Sequence, residues 1–139
     1  MDERRLEDFD ALLAVARRQD EPQRLLFVFA RRQLDEKHAT AMQREQYRRG
    51  QGGHLEPCLV VDKAADEIAS FAELAAESGH TGQHWDLVFV SSMSGRGGVA
   101  PNSDEADQPL RLMVQAIHEG RVADFAVFDR EGTPLGFVL

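Results

Sequence analysis

The segment "RLLFVFA", residues 24–30, constrains the fold more than any other, because everything after its arginine is apolar. A strand with one face in water alternates apolar and polar residues, whereas a continuous apolar run is typical of a strand covered on both faces. The shorter runs "PCLVV" (57–61) and "DLVFV" (86–90) have the same character. We therefore expect a central sheet with helices packed against both of its sides.

Apolar residues at helical spacing separate these predicted strands. The predicted helices cover residues 4–19, a weak and mostly exposed stretch at 39–49, a segment from about Ala64 to Gly79, and a segment from about Leu110 to Gly120. At the end of the chain, "ADFAVFD" (123–129) and "TPLGFVL" (133–139) flank "REG", which predicts a β-hairpin. The order of elements is α-β-α-β-α-β-α-β-β.

This alternation predicts a single α/β domain over residues 1–139, with a mixed and mostly parallel sheet, helices packed on it, and the C-terminal hairpin as an antiparallel edge. The chain has 139 residues, a size at which one domain can bury a substantial core. No interdomain linker and no internal repeat interrupts the pattern.

Net charge and cysteine content exclude several classes of function. The formal charge of −8 opposes a protein that coats nucleic acid or an acidic membrane. Basic residues are concentrated in residues 1–50, where they either complement an acidic partner or simply line solvated helix faces. The one cysteine, Cys58, excludes an internal disulfide and fits a reducing compartment. The expected setting is the bacterial cytoplasm, with no nucleic-acid partner and no membrane partner.

Polar side chains follow the predicted parallel strands at the edge where ligands bind in such folds. We predict a rim for a small anionic ligand, with Arg32, Lys63 and Arg96 as anion contacts and Asp62 as a candidate general base. The plainer interpretation is that strand ends need polar residues only to leave the core. The predicted ligand-binding residues are Arg32, Asp62, Lys63, Ser92, Ser94, Gly95, Arg96, Gly97 and Asn102.

The loop "SSMSGRGGVAP" (91–101) is the most distinctive part of this rim. Its "GRGGVA" fits the dinucleotide fingerprint in form, but Pro101 and the acidic "NSDEADQ" that follows oppose a bound pyrophosphate. No lysine follows the glycines, so a P-loop is excluded, and no cofactor is predicted. In the alternative interpretation the loop is a connection whose helix is capped by Asn102 or Ser103, with Glu105 completing a capping box.

Metal binding and covalent catalysis are not predicted from the remaining polar residues. His80, His84 and Asp86 are close in sequence, but Gly82 denies them the helical spacing that would aim both rings at a metal. Cys58 lies inside an apolar strand, where a thiol behaves as a small apolar group. No G-x-S-x-G motif occurs, so serine catalysis has no support.

Four segments resemble a family of small proteobacterial proteins, some of which carry the label "ribonucleotide reductase subunit alpha". They are "LLFVFARR", "DLVFVSSMSGRGGVAPNSDEAD", "MVQAIHEG" and "FAVFDREGTPLGF". The resemblance runs from about Arg24 to the C-terminus and implies no site residues. The label does not fit this chain, because nucleotide reduction needs a radical-bearing cysteine and a redox pair, and Cys58 is the only cysteine. The chain is also too short for that enzyme's barrel.

Two classes of function remain. The preferred one is a non-enzymatic interaction or regulatory domain that works as a homo-oligomer, a dimer or a dimer of dimers. It rests on the lack of a nucleophile–base pair, the uneven charge and the apolar final segment "LGFVL". The other is a protein or enzyme that binds a small anionic ligand at the rim and the 91–104 loop.

Overall fold

Strand β1 (Gln23–Gln33) lies inside a four-stranded sheet, and the computed structural model describes the chain around it from residue 8 to residue 135. The other elements, in chain order, are α1 (Phe9–Arg17), α2 (Ala41–Arg48), β2 (His54–Ala64), a 3₁₀ turn (Ala65–Glu67), α3 (Phe71–Gly79), β3 (Leu87–Ser94), α4 (Ser103–His118) and β4 (Ala126–Phe128). The chain is therefore mixed α/β, as predicted.

The order of strands in the sheet is β2-β1-β3-β4, and every neighbouring pair is antiparallel. The prediction of a mostly parallel sheet is therefore wrong. Strands β2 and β3 do run in the same direction, but they lie on opposite sides of β1 and do not touch.

The cause of the error is the connection between β1 and β2. Helix α2 has no buried residue, so it does not cross the sheet as the helix of a βαβ unit does. Strands β1 and β2 form a long antiparallel hairpin, in which Gln33 pairs with His54. Helix α2 lies in the connection between these two residues, residues 34–53, which we call the α2 excursion. The connection through α3 is a true crossover, but it passes over β1 and places β3 on the far side.

Both faces of β1 are covered, as its continuous apolar run predicts. Leu25, Phe27 and Phe29 pack in one cluster with Phe9 and Leu13 of α1 and with Phe71 and Leu74 of α3. Leu26, Val28 and Ala30 pack in a second cluster with Leu110, Met113 and Ile117 of α4. We call these the α1–α3 face and the α4 face of the sheet. Burial on two sides holds β1 in the centre.

Helix α4 begins earlier than the apolar spacing predicts. The Asn102 side chain accepts from the backbone N–H of Glu105, and the Glu105 carboxylate accepts from the N–H of Asn102, which is the predicted capping box. Pro109 consequently lies inside the helix and not in its first turn. Even this helix, at 16 residues the longest one described, is too short and too polar to cross a membrane, and no other helix within residues 8–135 qualifies.

Strand β4 is shorter than the predicted hairpin strand. It has three residues, pairs only with Val88–Val90, and is joined on its other side by a bridge between Phe128 and Pro134. Gly132 has a φ of 82° in the turn, as the "REG" sequence predicts. Most of the predicted last strand, residues 136–139, lies outside the described residues.

Candidate functional site

The antiparallel sheet divides the predicted rim between its two ends. Asp62 lies opposite Leu26 of β1, whereas Arg32 lies opposite Leu55, six residues further along β1. At about 3.3 Å per residue, this separates the two side chains by roughly 20 Å. Arg32 therefore cannot share a small ligand with the other predicted residues, which stay near the end where β2 and β3 finish.

Arg32 is instead part of the base of the α2 excursion. Its guanidinium lies 4.4 Å from the centre of the Tyr47 ring and donates to the carbonyls of Gln51 and Gly52. The Tyr47 hydroxyl donates to the Arg32 carbonyl at 2.7 Å. Gly53 allows this approach, because a Cβ there would lie 2.9 Å from the Tyr47 ring. The residue fastens the excursion to the sheet.

Asp62 and Lys63 project from opposite faces of the sheet, because side chains alternate along a strand. The Asp62 carboxylate accepts from Arg24 at 2.6 Å and from the Ser103 hydroxyl at 2.8 Å. Lys63 lies 3.1 Å from the Glu77 carboxylate of α3. Each charge therefore has a partner within the protein. Asp62 joins β1, β2 and the start of α4, and nothing in its surroundings makes it a free base.

The loop of residues 91–101, which we call the glycine loop, binds a carboxylate of the protein itself. The backbone N–H groups of Gly97 and Gly98 donate to the Glu21 carboxylate at 3.2 and 2.8 Å. Arg96 and Val99 exchange two backbone hydrogen bonds around these glycines, whose φ angles are 58° and 83°. Positive φ at both central positions is the geometry of a tight two-residue hairpin turn. Glu21 thus occupies both N–H donors of the turn.

The remaining predicted groups differ in their freedom to bind a ligand. The Asn102 side chain is used in the cap of α4. Gly95 packs against the chain, since its N–H donates to the Pro22 carbonyl and a Cβ would lie 2.3 Å from the Val99 carbonyl oxygen. Ser92, Ser94 and Arg96 are exposed. The Ser94 hydroxyl, however, accepts from the Gln23 side-chain amide at 3.1 Å and donates to the Gly95 carbonyl. Within residues 8–135, only the side chains of Ser92 and Arg96 are therefore left without a hydrogen-bond partner among the predicted polar groups.

The cysteine and histidine residues do not form a reactive centre. The His84 ring lies 3.1 Å from Asp86, but the Cys58 thiol donates to the backbone carbonyls of Phe29 and His84 and not to the ring. Burial raises the pKa of the Cys58 thiol above its ordinary value, although Arg31 nearby acts in the opposite direction. Within residues 8–135 no group of three metal-ligating side chains comes together.

The open feature that the sequence did not reveal is the second half of β3. Strand β4 stops opposite Val90, so Ser91–Ser94 have a neighbouring strand, β1, on one side only. Grooves of about 1120 Å³ and 330 Å³ border these residues on the two faces of the sheet. No sequence signal marks this feature, because serines are poor indicators of a strand and the pattern of residues 123–129 predicted a longer β4 than the three residues observed.

Comparisons with protein-family models, with curated proteins and with solved structures find no match to this chain.

Proposed function

We propose that this protein is a non-catalytic interaction domain that works as a homo-oligomer. The observation that carries the proposal is the contrast between its polar side chains and its sheet edges. Asp62, Lys63 and the glycine-loop amides are bound within the protein, whereas backbone groups at the edges of the sheet are left without strand partners in the described part of the chain. Unpaired edges bind other chains.

The edge formed by β2 is protected against uncontrolled association. Pro57 lacks an N–H group, and the pairing with β1 shifts register beside it, between Phe29 and Ala30. Charged side chains at Glu56, Asp62 and Lys63 add further protection along the same strand. Proline, bulges and charges are the devices by which sheet edges avoid aggregation. We therefore do not place the contact between copies at β2.

The opposite edge is the better support for self-association. Leu135 donates its N–H to the Val127 carbonyl at 2.9 Å and packs against the α4-face cluster, so the chain beyond β4 adds to the sheet there. The outer side of this added segment contacts no strand in the described part of the chain. The sequence continues with "GFVL", which is uncharged and rich in large apolar side chains. We expect the contact between copies to lie at this hairpin.

Light scattering at several concentrations tests the proposal. We expect a dimer or a tetramer for the natural chain, and a shift toward monomer when Phe137 and Leu139 are both replaced by serine. The matched control is Val60→Ser, which removes an apolar side chain, 43% exposed, from the protected β2 edge and should leave the assembly unchanged. A natural chain that is monomeric at every concentration would contradict self-association.

The alternative function, binding of a small anion at the serine-glycine loop, has one observation in its favour. Gly97 and Gly98 already hold a carboxylate, so the loop is shaped for an anion. A ligand would have to displace Glu21. If this function is correct, Glu21→Ala should bind inorganic phosphate and the natural chain should bind it more weakly; calorimetry that shows no binding by either protein would reject it.

A further inference from the structure

The outer edge of Ser91–Ser94 is recessed between two helices, and we call it the β3 notch. The backbone hydrogen bonds of the hairpin define which groups it exposes. Because Leu135 donates to the Val127 carbonyl, Val127 turns its backbone groups away from β3, and its neighbours Ala126 and Phe128 turn theirs toward β3. In antiparallel strands this orientation alternates from one residue to the next.

The alternation carries along β3 beyond the last pair with β4. Val90 directs its N–H and C=O toward β4, so Ser92 and Ser94 direct theirs to the same outer side, where β4 is absent. The residues between them direct their backbone N–H and C=O groups to β1, in agreement with the hydrogen bond from the Gly95 N–H to the Pro22 carbonyl. No described residue bonds to the backbone N–H or C=O of Ser92, and the residue is exposed. These are the two groups with which an added strand would pair.

Apolar side chains border the notch on both faces of the sheet. On the α1–α3 face, Leu12 and Val15 of α1 line the groove of about 330 Å³. On the α4 face, Pro109, Leu112 and Met113 line the groove of about 1120 Å³. Val15 is 40% exposed and Leu112 is 57% exposed, so both present apolar surface to a ligand.

The charges around the notch select the kind of segment that fits. Three of the four edge residues are serines, and the fourth is Met93. Two charged side chains of opposite sign line the grooves: Arg121 lines the larger one, where it is paired with Glu119 at 2.6 Å, and Asp124 lines both. On a protein with a formal charge of −8, this is a nearly neutral surface. It matches an uncharged segment better than a charged one.

We infer that the β3 notch binds an extended, uncharged segment of a partner protein as an added antiparallel strand. The residue opposite Ser92 exchanges two hydrogen bonds with it and directs its side chain to the α1–α3 face, as Ser92 does opposite Leu25. The residues before and after it direct apolar side chains into the larger groove. Two notches of two copies are poor partners for each other, because residues of α1 and α4 flank each notch and separate the two edges.

This inference rests on the proposed interaction function but not on self-association. The probe is the peptide acetyl-Ser-Leu-Val-Leu-Ser-amide, titrated into ¹⁵N-labelled protein and followed by NMR. We expect the amide signals of Ser92 and Ser94 to move and to saturate at about 1 mM peptide, which is typical of a short weak ligand. The matched control peptide carries an N-methyl group on the central valine, which removes the N–H that bonds to the Ser92 carbonyl, and it should not bind.

Protein variants test the two walls separately. Val15→Lys and Leu112→Lys alter exposed positions, so they should leave the fold intact. Each should weaken the binding of the peptide by about tenfold, because apolar contact is lost. Met42→Lys, at a position that is 71% exposed on α2, is the control and should bind as the natural chain does.

Three outcomes would overturn the inference. They are unmoved Ser92 and Ser94 signals, equal binding of the N-methylated peptide, and signals of these residues that shift on dilution of the peptide-free protein, which would mean that a second copy fills the notch. Light scattering keeps the two proposals apart. A monomer that binds the peptide rejects self-association alone, and an oligomer that does not bind it rejects the notch alone.

Discussion

At the scale of single residues, the pairing of Glu21 with the glycine turn explains why three glycines stand so close together. Gly95 allows the chain to pass the Val99 and Pro22 carbonyls, while Gly97 and Gly98 supply positive φ and two N–H donors. An anion at the loop amides was one of the two interpretations that the sequence allowed. The sequence did not indicate that the anion is a side chain of the same protein, because Glu21 lies far from the loop along the chain.

Replacement of Glu21 by alanine should loosen the turn. Two charge-assisted hydrogen bonds are lost, but the site is exposed, so we expect the free energy of unfolding to fall by only about 1 kcal/mol. Hydrogen exchange of the Gly97 and Gly98 amides should become faster, which NMR measures directly. Glu21→Gln, which keeps one acceptor oxygen, should lie between alanine and the natural chain. Exchange that is equally slow in all three proteins would show that the carboxylate does not hold the turn.

Cys58 should react slowly with iodoacetamide at neutral pH. Burial raises its pKa above the ordinary value of 9.0, so less of the thiol is ionised than in a free cysteine. The folded protein then holds the thiol proton at a pH where the unfolded chain has released it. Its contribution to stability is present below about pH 9 and is lost as the pH rises further. Alkylation as fast as that of a free thiol would contradict this, and Cys58→Ser controls for reaction elsewhere.

At the scale of elements, replacement of glycine by alanine should have opposite effects on the free energy of unfolding at two positions. In Gly95→Ala, the new Cβ would lie 2.3 Å from the Val99 carbonyl oxygen and 2.9 Å from that of Pro22, so the turn must move. We expect a loss of about 2 kcal/mol or more in the free energy of unfolding, measured in urea.

Gly79→Ala is the matched control for Gly95→Ala. Gly79 is the last residue of α3, its φ is not positive, and no heavy atom lies within 4 Å of a Cβ placed there. Alanine should therefore stabilise the protein by roughly 0.5–1 kcal/mol. A destabilised Gly79→Ala, or a Gly95→Ala as stable as the natural chain, would mean that packing around these turns differs from that described.

The elements that the sequence predicted well are those with a local physical cause. The apolar run of β1 predicted burial on both faces, and the spacing of Asn102 and Glu105 predicted the capping box. The serines at the end of β3 were assigned to a loop, because their polarity hides a strand that is held only by its pairing with β1. For that reason the β3 notch could not be predicted, although its serines were among the candidate residues.

At the scale of the whole molecule, the direction of the strands was the decisive error. Alternation of helices and strands favours parallel neighbours only when each helix packs on the sheet. The weak apolar pattern of residues 39–49 correctly indicated an exposed helix, and α2 indeed has no buried residue. That exposure was the available sign that β1 and β2 form a hairpin. Because the direction of one strand was wrong, Arg32 was placed at the wrong end of the sheet.

Shortening of the β1–β2 connection gives the most direct test of this topology. Gln33 and His54 are paired neighbours, so an Asn-Gly turn in place of residues 34–53 can join them as a hairpin. We expect a variant that still unfolds cooperatively in urea, less stable by the contacts of Tyr47 with Arg32. Parallel strands could not be joined in this way. The end of one strand and the start of the next would lie at opposite ends of the sheet, and a connection of a dozen or more residues would be needed.

The control for this variant is the same Asn-Gly link in place of residues 65–86, between β2 and β3. These strands run in the same direction on opposite sides of β1, so a two-residue link cannot span them. The deletion also removes Phe71 and Leu74 from the core, and this variant should not fold for both reasons. Circular dichroism and urea unfolding of the two proteins read out the result. If shortening of the first connection abolished folding, the excursion around α2 would be part of the structural core, and the long hairpin assigned to β1 and β2 would be incorrect.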